Sequence, residues 1–510
     1  MAFVLLCPRL SLPPSANLTS VSQTRKVTPQ ESSTLPEIKI AGFLNAALGL
    51  GETGRLIARA LESVDVPVVT HVYEKSDVAQ LPFASVEGSG GQQSSHPGIS
   101  LLSLNGEHLS GLSRSAGGSS LFDKRYVISV WFWETEELPP HAADGFKYVD
   151  EVWAGSPFIK ELMEKASGGV PVELYNHPIC PITVDEAKAR ERFPFDGRFV
   201  FLFTFDYNSC VKRKNPQAVC EAFAKAFPEP TADGPICIIK SINGEKHSVD
   251  FNLVKWKWNG RPDIIFLDAF LSSEDRNMLV MRSDACVSLH RSEGLGLTLL
   301  EAMAAGKPSI ATAYSGNLAF MNDDRSWLIP YTKVPVGSGS VHYPAHHEWA
   351  EPDVDAAAAA MRDVFYNQAA AKEKAERGRQ HVLEHHSLPV VGRHMYELLK
   401  QSATRPVRKK EIEAKEASGR GEAYKALAEL RELEAELAKS SGLPTTWRRT
   451  MSHLKSDTLK LSKLQRRALS NTLRALKQSE DQHRERIDYL HAAVIRISRQ
   501  FEQLMSQIKL

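Results

Sequence analysis

The chain has 510 residues, of which 42% are hydrophobic and 24% charged, a composition typical of globular proteins. Its 62 basic and 61 acidic residues give a net charge of +1, which excludes a uniformly basic nucleic-acid-binding protein. The charge is unevenly distributed: residues 401–510 hold 23 basic and 14 acidic residues, whereas residues 1–400 hold 39 and 47. The sequence therefore predicts an acidic body followed by a basic tail.

The cysteines and the first residues indicate a protein of the reducing cytoplasm. The apolar start of segment 1–36 has no positive charge before it, so we expect a flexible lead-in rather than a signal peptide. No apolar run approaches the roughly 18 residues of a membrane span. The six cysteines form no CxxC pair, which argues against a zinc site and against a secreted disulfide framework. They are Cys7, Cys180, Cys210, Cys220, Cys237 and Cys286.

Short apolar runs alternate with helical patterns from Glu37 onward, which is typical of βαβ units around a parallel sheet. The first such series occupies residues 37–185. We expect a helix after its first strand and another that begins at Pro157, with Ser156 as the amino-terminal cap. The predicted strands are 37–44, 67–73, 99–105, 126–133 and 151–156.

A second series of the same kind occupies residues 186–400. One predicted helix places five apolar side chains on a single face: Val219, Ala222, Phe223, Ala226 and Phe227. Another is expected to end at Gly306, with Pro308 beyond it. Further helices close the series. The predicted strands are 198–205, 235–242, 263–269, 285–290, 308–312 and 326–331.

The predicted fold class is therefore α/β, with two Rossmann-like doubly wound lobes that face a cleft, followed by an α-helical tail at 401–510. Apolar residues over 469–508 recur at alternating steps of three and four, a pattern that favours a coiled coil. The coil would join copies of the chain into a homo-oligomer, or the helix would pack on the body. Basic residues of the tail would contact lipid headgroups, or form a solvated helix face: Lys409, Lys410, Arg448, Arg449, Arg466 and Arg467.

The segment 287–321 carries the chemistry. A buried strand ends near Ser292, a turn with Glu293, Gly294 and Gly296 follows, and the next helix carries Glu301. Ligands of open parallel sheets bind at the carboxyl ends of strands, where a helix amino terminus also favours a phosphate group. Ionised carboxylates accept several hydrogen bonds from a diol, so two acids at this spacing suit a hydroxyl-rich ligand.

These residues resemble the retaining glycosyltransferases of family 4, which have the two-lobed GT-B fold. The family signature is a Glu, seven residues and a second Glu in an EGxGL…EAMA.G.P context, and it matches from Glu293 to Pro308. The resemblance implies that Glu293 contacts the donor sugar and that Glu301 binds the ribose of the nucleotide. It also implies donor contacts for Gly294, Gly296 and Leu297.

The basic run 209–227 supports the resemblance. Lys and Arg side chains before a helix can stabilise a diphosphate leaving group, so that no metal is needed. The family has an Arg and a Lys five residues apart. Lys214 matches the Lys, but Ser209 stands in place of the Arg, so Arg213 or Lys212 is expected to supply the second charge. A solvated charge run is the alternative interpretation.

Three further positions are candidates. Gly49 and Gly51 resemble the glycine loop that approaches the donor phosphates, although such a turn also serves packing. Glu134 ends a strand and is expected near the sugar or the catalytic centre, while Lys240 ends another and faces the cleft or is structural. Histidines 108 and 290 are expected to be structural rather than donors, and the aromatic residues 131–133 to belong to the core.

The resemblance predicts transfer of a hexosyl unit from a nucleotide-diphosphate sugar, with retention of anomeric configuration and without a cofactor or metal. The second lobe would hold the nucleotide and the first a saccharide or lipid-linked acceptor. Segments 314–321 and 349–365 resemble a subgroup of bacterial surface-polysaccharide synthesis. We also expect the protein to contact the inner face of a membrane peripherally. We expect no nucleic-acid partner. The alternatives are a nucleotide-sugar epimerase on the same fold and a non-catalytic coiled-coil scaffold.

Overall fold

The computed structural model describes residues 35–74, 79–81, 83, 97–195, 197–337, 343–408 and 410, all within the compact unit Met1–Glu411. The strands are β1 (Ile38–Gly42), β2 (Val69–Val72), β3 (Ile99–Ser103), β4 (Tyr126–Trp131), β5 (Glu151–Ala154), β6 (Val172–Leu174), β7 (Val200–Asp206), β8 (Ile236–Ile242), β9 (Ile264–Asp268), β10 (Ala285–Ser288), β11 (Ser309–Thr312), β12 (Trp327–Ile329), β13 (Tyr331–Pro335) and β14 (Glu348–Pro352).

The α-helices are α1 (Gly49–Glu62), α2 (Gly106–Arg114), α3 (Pro140–Ala143), α4 (Pro157–Ala166), α5 (Glu186–Arg192), α6 (Val211–Lys214), α7 (Pro216–Ala226), α8 (Ser248–Lys257), α9 (Ser273–Arg282), α10 (Leu297–Ala304), α11 (Val354–Tyr366), α12 (Gln368–His386) and α13 (Leu388–Ala403). Short 3₁₀ helices lie at Gly118–Leu121, Asp144–Tyr148, Tyr207–Ser209, Gly244–His247 and Gly316–Ala319.

The first lobe is built on a parallel sheet with the strand order β2-β1-β3-β4-β5-β6. Every residue of β3 and β4 is buried, because helices cover both faces of the sheet. The five predicted strands of this lobe are confirmed, whereas the three-residue β6 was not predicted. The expected cap is confirmed too, since Ser156 Oγ accepts a hydrogen bond from the Ile159 backbone N–H at the start of α4.

The second lobe contains the parallel sheet β12-β11-β10-β7-β8-β9. Its order reverses between β7 and β10, the switch point at which open α/β sheets leave a crevice. The five side chains predicted to share a face of α7 are all buried. The two doubly wound lobes confirm the α/β, two-lobed part of the predicted fold class.

The end of this lobe differs from the prediction. A single strand was predicted over 326–331, but the chain forms β12 and then the antiparallel hairpin of β13 and β14. Pro330 separates β12 from β13, and proline has no backbone N–H to continue a ladder. Three residues of this hairpin, Val336, Tyr343 and Trp349, join the apolar core of the first lobe.

The last described helix, α13, packs on the first lobe although the sequence assigned it to the second. Val391, Met395 and Leu399 lie in one apolar cluster with Ile57 and Leu61 of α1. A Cβ atom added at Gly392 would lie 2.0 Å from the Ala60 carbonyl oxygen, so only glycine allows the two helices to approach this closely. The chain therefore passes through the second lobe and returns to the first.

The residues after α13 continue along the first lobe. Arg405 Nη1 lies 2.7 Å from an oxygen of Glu151, and Lys410 Nζ lies 2.5 Å from an oxygen of Asp150. Lys410 therefore forms an ion pair within the protein. It is not available to lipid headgroups, so the lipid-contact interpretation is wrong for this residue. The described residues do not include residues 1–34 of the lead-in, Lys409, the remaining basic candidates or the coiled-coil segment 469–508. Among the described helices, none has the length and apolar character that a membrane span requires.

Candidate functional site between the two lobes

The switch point of the second lobe brings the predicted charges together. The chain leaves β7 through a 3₁₀ turn and enters the short helix α6, which carries Arg213 and Lys214. It leaves the neighbouring strand β10 through a five-residue segment that ends at Glu293. Because β7 and β10 are adjacent and parallel, both exits lie at the same edge of the sheet.

Four predicted residues meet at this edge. Lys214 Nζ donates a hydrogen bond to one oxygen of Glu293, and Arg213 Nη1 lies 3.4 Å from the other. Arg213 Nη1 also donates to the Ser292 carbonyl oxygen at 2.9 Å. On the opposite side, Arg213 Nη2 lies 3.5 Å from a carboxylate oxygen of Glu134, which follows β4 in the first lobe. One arginine therefore connects acids from both lobes.

The electrostatics fix the charge states of this cluster. Burial alone would raise the pKa of Glu293, but attraction from Lys214 and Arg213 lowers that pKa to about 2. Burial likewise opposes the charge of Arg213, yet Glu134 and Glu293 raise its pKa above the ordinary value. Glu293 is therefore ionised at neutral pH, and an ionised carboxylate only accepts hydrogen bonds.

Backbone strain surrounds the cluster. Cys210 and Asn215, which flank α6, have φ angles of 66° and 55°. Ser315 has a φ of 75°, and its hydroxyl accepts a hydrogen bond from the Glu293 backbone N–H at 2.8 Å. Left-handed conformations are unfavourable for residues other than glycine and collect at functional sites. Gly296, with a φ of 85°, turns the chain into α10.

Glu301 and Lys240 lie in a second part of the site around Arg276. The sequence did not predict a role for Arg276. Arg276 Nη2 lies 3.5 Å from a Glu301 oxygen. Burial is the main cause that raises the pKa of Glu301, although Arg276 lowers it. Lys240 is 6% exposed, and burial chiefly lowers its pKa to about 8, while Asp268 opposes this effect. Arg276 lies in the polar first turn of α9, where a charged residue gives no sequence signal of a site.

The glycines of the candidate site have different surroundings. A Cβ at Gly49 would meet no atom within 4 Å, whereas one at Gly51 would lie 2.5 Å from the Ala46 carbonyl oxygen, so packing requires Gly51. Burial is the main cause of the raised pKa of Glu301, and the charge of Glu52, in the same turn of α1, adds to it across the lobes.

The Glu293 turn touches the first lobe directly. A Cβ at Gly294 would lie 3.1 Å from that of Phe132, and Ser156 Oγ donates to the Gly294 carbonyl oxygen at 3.3 Å. Leu297 begins α10 and packs against an apolar cluster that includes Leu300.

The hairpin of β13 and β14 supplies contacts that the sequence did not predict. The Tyr343 hydroxyl donates to Glu134 at 2.8 Å, and Lys333 Nζ lies 2.5 Å from Glu136. The Tyr314 hydroxyl also donates to Glu136, at 3.1 Å. Acidic side chains after β4 thus bind the second lobe. The three glutamates in the run from Glu134 to Glu137 were the sequence feature that could have indicated these contacts.

Of the expected structural residues, His290, Trp131 and Trp133 are buried, whereas His108 and Phe132 are only half-buried. His290 Nδ1 lies 3.0 Å from Ser288 Oγ and its Nε2 lies 3.1 Å from Asn317 Oδ1, so both ring nitrogens have partners. Trp131 and Trp133 are buried in the first-lobe core. His108 stacks edge-on against Phe43 at a ring distance of 5.1 Å.

Comparisons with known proteins agree with the two-lobed fold. The family model described as "Glycosyl transferases group 1" matches residues 203–335. A solved structure of HepE from Anabaena in complex with UDP and glucose has 14% identity and a TM-score of 0.50; the match covers 72% of this chain and 100% of that one. A glycosyltransferase from Rickettsia africae has 15% identity and a TM-score of 0.52, with coverage of 73% and 100%.

Sucrose-phosphate synthase from Thermosynechococcus elongatus has 14% identity and a TM-score of 0.50, and the match covers 72% of this chain and 98% of that one. No curated protein sequence matches the chain. At these identities the solved structures establish the fold. The chain therefore carries a glycosyl transferases group 1 domain at residues 203–335, within two lobes of the GT-B type.

Proposed function

We propose that the protein is a retaining glycosyltransferase that moves a hexosyl unit from a nucleoside-diphosphate sugar to an acceptor hydroxyl. The observation that carries the proposal is the contact of Glu293 with both Arg213 and Lys214 at the switch point of the second lobe. These are the residues for which the family resemblance implies contacts with the donor sugar and its diphosphate.

The ion pairs of the cluster provide a binding mode for the donor. Two cations, Arg213 and Lys214, balance two carboxylates, Glu134 and Glu293. A diphosphate accepts charge-assisted hydrogen bonds, so it would take over donors of the two cations. Glu293 would then accept hydrogen bonds from sugar hydroxyl groups. The donor would thus exchange contacts within the site without leaving a buried charge unpaired.

The nucleoside would bind in the second part of the site. Glu301 would accept hydrogen bonds from the ribose hydroxyl groups, and Lys240 and Arg276 would add positive charge. The turn with Gly49 would contribute backbone N–H groups from the first lobe, where a small residue leaves room for a phosphate. Binding would therefore join the two lobes around the donor.

We infer a front-face reaction. In this binding mode Glu293 accepts hydrogen bonds from sugar hydroxyl groups and Glu134 lies on the far side of Arg213, so neither carboxylate is placed as a nucleophile. In the proposed step the bond between the sugar C1 and the phosphate oxygen breaks, the acceptor oxygen bonds to C1 on the same face, and the acceptor proton passes to the departing phosphate. Arg213 and Lys214 would stabilise the charge that develops on that phosphate.

The experiment is a panel of UDP-, GDP- and ADP-sugars, incubated with and without saccharide acceptors. UDP-glucose comes first, because the Anabaena structure contains UDP and glucose. We expect nucleoside diphosphate and a glycoside with the anomeric configuration of the donor, identified by NMR. Conversion of the donor without an acceptor would support an epimerase instead, and an inverted product would contradict the front-face reaction.

We further propose a saccharide or lipid-linked acceptor of surface-polysaccharide synthesis, bound in the first lobe at the inner face of the membrane. Support comes from the resemblance of segments 314–321 and 349–365. An assay with lipid-linked acceptors in vesicles tests this part, and transfer only to soluble acceptors would contradict it.

A further inference from the structure

A second cluster of polar side chains lies at the seam between the lobes, beyond Glu134. Within the described residues, Glu137, His346 and His347 form a group of potential metal ligands whose ligand atoms lie within 4.8 Å of one another. Glu137 belongs to the first lobe, and the two histidines lie in the hairpin of the second. The cluster therefore connects two segments that approach each other only through the fold.

The distance between Glu137 and His347 suits a tetrahedral ion. A Glu137 carboxylate oxygen lies 3.4 Å from His347 Nε2 and 3.9 Å from His346 Nε2. Zinc binds nitrogen and oxygen ligands at about 2.0–2.1 Å, so two ligands on neighbouring corners of a tetrahedron lie about 3.3–3.4 Å apart. The contact between Glu137 and His347 already has this length, whereas the exposed His346 side chain would have to move closer to reach the ion.

Hydrogen bonds hold the ring of His347 in place. Thr135 Oγ1 accepts from the Trp133 indole at 2.8 Å, because an indole N–H only donates. The same hydroxyl lies 3.2 Å from the Glu137 carbonyl oxygen and 2.9 Å from His347 Nδ1. Nδ1 is therefore engaged by Thr135, and Nε2 is the ring nitrogen that faces the Glu137 carboxylate.

The other ring nitrogen faces a negative charge. His347 Nε2 lies 3.4 Å from the Glu137 carboxylate, and a neutral imidazole that donates through Nδ1 would present its Nε2 lone pair to a cation held between the two groups. Metal-ligating histidines commonly donate their other ring N–H to a partner that orients the ring, and Thr135 Oγ1 is placed to accept from Nδ1. The backbone of His347 is fixed as well, because its carbonyl oxygen accepts from the Val336 N–H at 2.7 Å.

We propose that Glu137, His346 and His347 bind a divalent transition-metal ion of the zinc type, with water as a fourth ligand. Two imidazoles and one carboxylate favour such an ion over magnesium or calcium, which prefer oxygen ligands. The cysteine spacing argued only against zinc on thiolates, which these residues do not use. The ion would clamp the hairpin to the run Glu134–Glu137 and so hold Tyr343 on Glu134. This site is independent of the proposed reaction.

The experiment is a titration of the full-length, untagged protein with Zn²⁺ against a competing chelator, followed by melting curves with and without the ion. We expect one tight site per chain. His346→Ala and Glu137→Gln should each weaken it by more than about 100-fold, since even the loss of an orienting partner costs 10–100-fold. Their side chains are 74% and 70% exposed, so both variants should fold. Zinc should raise the Tm of the wild type, but not that of either variant.

The matched control removes the other close pair of histidines, His381 and His385 on α12, whose rings lie 4.3 Å apart. A pair at this helical spacing is a common adventitious zinc site. The double variant His381→Ala/His385→Ala should keep the tight site. Loss of that site in the control, unchanged affinity in His346→Ala, or no stoichiometric binding by the wild type would each overturn the proposal.

Discussion

The side chain of Glu293 is 12% exposed and is held by two cations, so its removal should affect stability as well as chemistry. Glu293→Gln leaves Arg213 and Lys214 without a full counter-charge, and breaking a buried ion pair costs about 3–5 kcal/mol. We expect a loss of about 3 kcal/mol in the free energy of unfolding at pH 7, together with a fall in kcat of at least about 100-fold. Denaturant titration and transfer assays measure the two effects.

The stability effect has a defined pH dependence. The pKa of Glu293 falls on folding from 4.5 to about 2, so its contribution is complete above pH 4.5 and disappears as the pH falls towards 2. The difference between wild type and Glu293→Gln should shrink over this interval. The control, Glu186→Gln, removes an exposed partner of Arg190 and should cost less than about 1 kcal/mol. An equal loss in both variants would contradict the assignment.

Glu301 should behave in the opposite way, because burial raises its pKa. A carboxyl group whose pKa rises on folding opposes stability when it is ionised, and this penalty disappears as the pH falls through the raised pKa. Glu301→Gln should therefore raise the Tm at pH 8, with a smaller gain at pH 5, while it weakens nucleotide binding. Melting curves and calorimetry at both pH values test this pair of effects. A lower Tm with unchanged nucleotide affinity would contradict it.

At the scale of secondary-structure elements, the fit of α13 on α1 depends on one glycine. Gly392→Ala places a methyl group 2.0 Å from the Ala60 carbonyl oxygen, so the helices must separate. We expect a loss of about 2 kcal/mol or more, because overpacking of a core costs about 1–3 kcal/mol and the obstacle here is backbone. Denaturant titration measures it. Gly49→Ala is the control: no atom lies within 4 Å of its Cβ, so it should fold normally. Equal stability of the two variants would contradict this packing.

The elements that the sequence predicted are those whose burial leaves a pattern. Strands such as β4 are buried on both faces and appear as continuous apolar runs, and α7 shows its buried face as a helical repeat. The hairpin was missed because β13 is almost entirely exposed and carries no such run. The apolar face of α13 predicted a helix, but the same face could cover either lobe.

The candidate site was predictable for the same reason. Parallel strands end at one edge of a sheet, so residues after strand ends, such as Glu293 and Lys214, could be expected to converge. Sequence spacing does not give strand order, and the adjacency of β7 and β10 appears only in the fold. Arg276 and Tyr343 were not predicted, because their roles depend on partners distant in sequence.

For the molecule as a whole, the body should fold and act without the tail. A chain that ends at Glu411 keeps the pairs of Arg405 with Glu151 and of Lys410 with Asp150. We expect it to retain the wild-type Tm and transfer rate, and to lose any self-association of the predicted coiled coil, as measured by light scattering. Loss of transfer with an unchanged Tm would contradict this prediction, because the tail would then take part in the reaction.

A shorter chain that ends at Ala403 is the matched control. It removes Arg405 and Lys410 and leaves Glu151 and Asp150 buried without these partners. We expect a decrease of about 3 kcal/mol in the free energy of unfolding, as for other buried charges that lose a partner. Equal stability of the two truncated chains would contradict the packing of Arg405 and Lys410 on the first lobe.

The central claim is that Arg213 and Lys214 bind the diphosphate of the donor. Its most direct test compares, by calorimetry, the affinities of the preferred nucleoside diphosphate and of the corresponding nucleoside for the wild type and for Lys214→Met. A charge-assisted hydrogen bond contributes about 1.5–3 kcal/mol, so the variant should bind the diphosphate about 10- to 100-fold more weakly and the nucleoside equally well. An unchanged ratio of the two affinities would contradict the account.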